Sequence, residues 1–115
     1  MNKVELMGRL TKDVEMLKSK SGTEVAKITL AVPRKLSKEN EVDFIDAVAF
    51  GKMAENLAKY VEKGNRLIVV GQINLNNYQD KEGKTRTSTT IVIEDFYFVD
   101  FKAKKDDAEQ TTLEY

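Results

Sequence analysis

The chain has 115 residues, 41% of them hydrophobic, and its 19 Lys and Arg balance 19 Asp and Glu to a formal net charge of zero. That length suits one compact domain with a modest core, and the absence of Cys and His excludes disulfides, thiolate or imidazole metal sites and nucleophile–base pairs built on those side chains. Residues 102–115 carry three Lys and four acids, which leaves residues 1–101 at only plus one, so any surface for a polyanion has to be a local patch.

The opening "MNKVELMGRL" alternates apolar and charged residues, unlike a secretory signal, and no apolar run approaches the roughly 20 residues of a membrane helix. A soluble cytoplasmic protein without membrane contact is expected, in a bacterium or, for a phage-encoded copy, in its host. Val4, Leu6 and Leu10 alternate with Lys3, Glu5 and Arg9 as a first strand, and "GTEVAKITLAV" sets Val25, Ile28, Leu30 and Val32 in a second strand after a Ser-Gly turn. Residues 33–42 are polar and opened by the only proline, which reads as a long hairpin loop. A third strand follows at 43–50, with Phe44, Asp46, Val48 and Phe50 on one face and Ile45, Ala47 and Ala49 on the other. From Lys52 to Tyr60, the residues Met53, Leu57, Ala58 and Tyr60 fall near helical spacing, and Gly64 is expected to stop that helix. "RLIVVGQINLNNY" reads as a fourth strand kinked at Gly71, "QDKEGK" as an exposed turn, and "TRTSTTIVIEDFYFVDF" as a long last strand. The polar remainder suggests a domain over 1–101 and a short flexible charged tail over 102–115.

Five strands with one short helix between the third and fourth is the order of an all-β, five-stranded OB-fold, a Greek-key barrel that binds oligonucleotides and oligosaccharides. Block by block and in the same order, "NKVELMGRLTKDVE", "SGTEVAKITLAV", "DFIDAVAFGKMAENLAKYVEKGN", "VVGQI" and "NNYQDKEGKTR" resemble a bacterial-type single-stranded DNA-binding protein. The resemblance spans residues 2 to about 101, and the short tail suits a phage, plasmid or accessory version. It implies a protein that binds and protects single-stranded DNA in replication, recombination and repair, with no cofactor, no metal and no catalytic residue.

Residue by residue, the resemblance puts base-stacking aromatics at Phe44, Phe50 and Tyr78, where the plain alternative is ordinary burial. It puts phosphate contacts at Lys3, Lys52, Lys63 and Arg86, with Arg9, Arg34 and Lys35 as helpers, each of which alone also reads as a solvated surface charge. Phe96, Phe98 and Phe101 are assigned to the core, and Glu94, Asp95 and Tyr97 to the surface. Three departures point to weaker binding: Leu36 and Thr87 stand where relatives often carry aromatics, and "NLNN" at 74–77 stands where many carry basic residues. Asp46 is an unusual occupant of a face meant for phosphates. The resemblance further implies a homo-oligomer, a tetramer with a dimer as the fallback, built by pairing of first strands, although Glu5 replaces an apolar residue there. It also implies recruitment of replication or repair proteins through a tail tip, to which Asp106, Asp107, Glu109, Leu113, Glu114 and Tyr115 would correspond in reduced form, the plain alternative being a solvated tail with no partner.

Other readings stay open at this level. Acid pairs such as Asp43 with Asp46, or Asp106 with Asp107, suggest a magnesium-dependent enzyme only faintly, because the first pair points to opposite strand faces and the second lies in the tail. An OB-fold adaptor of a primosome-like replication complex, or an RNA-binding barrel, would share the pattern, since stacking and phosphate contacts do not read the 2′-OH.

Overall fold

The computed structural model describes residues 1–100; Phe101 and the tail residues, together with the roles expected of them, lie outside the described residues. The elements are β1 (Val4–Leu10), β2 (Glu15–Lys18), β3 (Glu24–Pro33), β4 (Val42–Phe50), α1 (Lys52–Tyr60), β5 (Arg66–Gln79) and β6 (Thr85–Asp100).

The strands run in the order β1-β5-β6-β4-β3-β2, and a further pairing of β1 with β3 closes the sheet into a barrel. All pairings are antiparallel except β4 with β6, where Ala47 and Val48 lie beside Ile91 and Val92 in parallel. The one strand the sequence pattern did not anticipate is β2. Its four residues are all exposed, so no alternation marks it, and it exists because Glu15 to Lys18 pair with Lys27 to Glu24 of β3. Since β1 reaches the same edge of β3 at Arg9 and Leu10, β1 and β2 act as two pieces of one interrupted first strand. The five-stranded OB-fold expectation therefore holds.

Inward alternation builds the interior, where Ile28, Leu30, Leu67, Val69 and Ile91 meet Leu57 of the helix, all nearly or fully buried. Ala47 and Ala49 line the inner face of β4 at 0% exposure; small side chains there leave room for the larger ones opposite. Phe96 and Phe98 are partly buried against this core, edge to face at 6.0 Å between ring centroids. The helix spans the predicted residues but buries Ala54 and Leu57, whereas Ala58 and Tyr60 face out. It ends because Val61 turns extended, and Gly64 sits in the turn beyond.

Gly71 marks the expected kink. The β5–β6 register slips there, Val70 facing Asp95 and Gly71 facing Ile93, so Glu94 bulges. A Cβ at Gly71 would sit 2.0 Å from the Val92 carbonyl oxygen, a closeness only glycine allows. Beyond it, β5 and β6 continue as a paired arm to Gln79 and Thr85, closed by a turn in which Gly83 takes φ 81°.

Candidate nucleic-acid interface

The β4 alternation fixes the first two aromatics. Its inward residues Ala47 and Ala49 are buried, so Phe44, Asp46, Val48 and Phe50 must point outward. Phe44 is 70% exposed and Phe50 50% exposed, which removes burial as their role. Across β3, Ala31 faces Phe44, Thr29 faces Asp46, Lys27 faces Val48 and Val25 faces Phe50. Six residues at the strand rise of about 3.3 Å separate the two rings by roughly 20 Å.

Register carries this face onward to the third aromatic. Val48 lies beside Val92, and Val92 beside Gln72. Alternation from Gln72 through Asn74 and Asn76 then brings Tyr78 to the same side of the continuous sheet, opposite Arg86. Tyr78 is 52% exposed. Three large aromatics thus stand in solvent on one side of a rigid sheet, an arrangement that costs hydration free energy unless something flat covers them.

Two grooves open on this outer surface. One, of about 260 Å³, is lined by Lys12, Glu15, Lys27, Thr29, Asp46, Val48 and Thr90. Asp46 and Val48, the outward residues that lie between Phe44 and Phe50 on β4, belong to it, and in it Thr29 Oγ1 donates to Asp46 Oδ1 at 2.9 Å. The other, of about 310 Å³, is mainly apolar and is lined by Met7, Gly8, Arg9, Ala31, Pro33, Val42 and Arg66.

The predicted cations are less available than the sequence suggests. Arg34 donates to both carboxylate oxygens of Asp43, with Nη2 2.9 Å from Oδ1, and Nη1 lies 3.1 Å from Glu41 Oε2. The hydrogen bond to Asp43 raises the Arg34 pKa and, in return, holds the Asp43 carboxyl below its usual range against the opposing effect of desolvation. Arg86 Nε donates to Asp80 Oδ2 at 2.9 Å. Looser pairs join Lys3 to Glu94 at 3.4 Å and Lys52 to Glu55 at 3.8 Å. Arg9 Nη1 donates to the Gly64 carbonyl at 3.0 Å. Among the described residues no ion pair is seen for the Lys35 or Lys63 side chain, while the Lys63 backbone N–H donates to Asp13.

Pairs this exposed contribute little to stability, so the two loose lysine pairs exchange readily for a phosphate. The bidentate arginine does not. The departures noted in the sequence are also placed: Leu36 is 93% exposed in the loop between β3 and β4, and Thr87 Oγ1 donates to Asn77 Oδ1 across the arm at 3.0 Å. Thr29, Lys27 and Thr90 were missed by sequence reasoning, because only the β3–β4–β6 register brings them beside the aromatics. Among the described residues no group of three acids is positioned to hold a metal ion, and no helix is long and apolar enough to cross a membrane.

The sequence model of the Single-strand binding protein family matches residues 1–99. A single-stranded DNA-binding protein of Clostridium perfringens (strain 13 / Type A) is 48% identical over 101 residues, covering 87% of this chain and 67% of that protein. One from Clostridium tetani (strain Massachusetts / E88) is 40% identical over 113 residues, covering 96% and 78%. One from Staphylococcus aureus (strain MRSA252) is 39% identical over 109 residues, covering 92% and 70%.

Proposed function

Because the chain belongs to the single-strand binding protein family, we propose that it binds single-stranded DNA with little overall sequence preference and shields it during replication, recombination and repair. The observation that carries the mechanism is the exposure of Phe44, Phe50 and Tyr78 on one side of the sheet. Unpaired bases stack on such rings for about 1–3 kcal/mol per base, a range drawn from single-strand binding barrels as a class, and every base has a π-face to offer. A duplex hides those faces. Lys3, Lys52, Lys63 and Lys35 steer the phosphates, with Arg9, Arg34 and Arg86 contributing as far as their present partners release them.

The reading needs neither metal nor cofactor, so binding to a labelled oligo-dT is expected to survive EDTA and to exceed binding to a duplex of equal length. Equal affinity for the duplex, or loss of the oligonucleotide on adding Mg²⁺, would overturn it.

Self-association fits the same reading. β1 pairs with β5 along Val4 to Arg9, but on its other edge it meets β3 only at Arg9 and Leu10, leaving the Val4–Met7 backbone as an open edge. A two-fold pairing of this edge, with Met7 and Tyr97 exposed on the outer face, supports a dimer that doubles to a tetramer. Light scattering giving a monomer at protein concentrations on the order of tens of micromolar would refute this. We assign the domain to 1–101 and cytoplasmic work to the protein, with residues 102–115 as a recruiting tail whose deletion should leave DNA binding unchanged or slightly tighter and abolish capture of replication proteins.

A further inference from the structure

We infer that Asp46 reads the edge of the base held beside Phe44, favouring bases that present an amine there, so that this protein takes cytosine over thymine. The inference rests on the single-strand reading and deepens it.

Asp46 is the neighbour of Phe44 on the outer face of β4, two residues and so about 7 Å along the strand. It lines the groove of about 260 Å³ and stands between Phe44 and Phe50 along the outer face of β4. A carboxylate there is costly for a surface that only stacks and neutralises phosphates, since it repels the backbone. Asp46 is exposed, and two features place it among hydrogen-bonding groups. Thr29 Oγ1 donates to its Oδ1 at 2.9 Å and holds the side chain against β3; one such bond leaves acceptor capacity on the carboxylate. Lys12 and Lys27 line the same groove together with Glu15, so two cations balance two anions and the cleft has no net charge with which to attract phosphate.

A carboxylate only accepts, and an ammonium only donates. A base that satisfies both must carry a donor beside acceptors along one edge. Cytosine does: its N4 amine donates to Asp46 while N3 and O2 accept from a lysine, the carboxylate–N4 pairing being a recognised mode of cytosine readout. Thymine and uracil place O4 where cytosine has the amine, which leaves two acceptors facing each other, and an unmatched polar contact is penalised more than a matched one is rewarded. Adenine also offers an amine, N6, but not the pyrimidine O2.

The test is equilibrium binding of oligo-dC, oligo-dT and oligo-dU of one length at about pH 8, where cytosine N3 (intrinsic pKa well below) is neutral, to the full chain and to Asp46→Asn and Phe44→Ala. The full chain should prefer dC over both dT and dU by about three- to tenfold, the scale of one charge-assisted base contact at an exposed site. Asp46→Asn keeps an oxygen for Thr29 but presents a donor as well, so it should collapse that ratio towards one. Phe44→Ala should weaken all three ligands. Equal affinities in the full chain, a ratio unchanged in Asp46→Asn, or dU binding like dC would each overturn the inference, the last because it assigns the preference to the thymine methyl. An Asp46→Asn variant that gains equally for all three would show a plain repulsive charge and overturn it too. Those results leave single-strand binding standing, whereas no binding to any of the three removes both.

Discussion

Arg86 Nε lies 2.9 Å from Asp80 Oδ2, and the same arginine sits directly across the arm from Tyr78. Asp80 also accepts from the backbone N–H groups of Glu82 and Lys84 at 2.9 and 3.0 Å, so one carboxylate both shapes the turn and holds the cation that stands across the arm from Tyr78. A phosphate beside Tyr78 has to compete with it.

Asp80→Asn therefore separates the two tasks. Asparagine retains an acceptor for the turn but gives up the charge on Arg86. Affinity for single-stranded oligonucleotides should rise severalfold at low salt, and the slope of log K against log salt should steepen by nearly one unit, as for one additional phosphate contact. The unaltered chain should show a shallow slope, because Arg34 and Arg86 are paired with acids. A salt titration of both proteins decides the matter; a steep slope in the unaltered chain contradicts this account.

Acid titration should reveal both arginine pairs. The hydrogen bond from Arg86 first, then those from the backbone of Lys84 and Glu82, hold Asp80 below the ordinary aspartate value of 3.8 despite desolvation, and Arg34 does the same for Asp43. A depressed carboxylate stabilises the fold fully above its unfolded value and loses that contribution as pH falls through the folded one. Both contributions are thus expected intact at pH 5 and lost only below 3.8. Carboxyl NMR should give midpoints under that value, and Arg86→Ala should move the Asp80 midpoint upward.

The exposed aromatics and the core should respond in opposite ways to truncation. Phe44→Ala, Phe50→Ala and Tyr78→Ala should each weaken binding by about 1–3 kcal/mol while costing less stability than a core truncation, since half or more of each side chain is exposed. Leu67→Ala, at a fully buried site, should cost about 2–5 kcal/mol of stability. Phe98→Ala, at a half-buried site, should cost less than that. Denaturant melts alongside binding isotherms would expose an error if Phe50→Ala proved the less stable protein and bound normally.

Gly71→Ala should be severe for its size. The added methyl would meet the Val92 carbonyl at 2.0 Å, and backbone on both sides leaves no flexible side chain to yield. Loss of stability comparable with a core truncation is expected, together with weakened binding, because Gly71 is where β5 leaves the barrel and aims the arm that carries Tyr78. Hydrogen exchange across Gln72 to Tyr78 should accelerate; an unperturbed arm would mean the bulge is relaxed elsewhere.

Much of this was written in the pattern of the chain. Period-two alternation marked β1, β3 and β4 and set Phe44 and Phe50 on one face with Ala47 and Ala49 on the other, because a strand has no other way to arrange consecutive side chains. Gly71 announced its kink, the helix bounds followed from apolar spacing, and the ordered blocks pointed to the family. Other features were not local and no pattern could hold them. β2 has no buried face and exists only through its pairing with β3. The inward turn of Ala54 instead of Tyr60 depends on which side of α1 meets the barrel. Most of all, the state of the cations and the company of Asp46 are matters of register: Arg34 meets Asp43 across a hairpin, Arg86 meets Asp80 across a turn, and Thr29 meets Asp46 across a ladder. Residue type decides what a charge or hydroxyl is able to do, but only strand pairing decides which partner stands within 3 Å of it, since hydrogen bonds fall off over a fraction of an ångström.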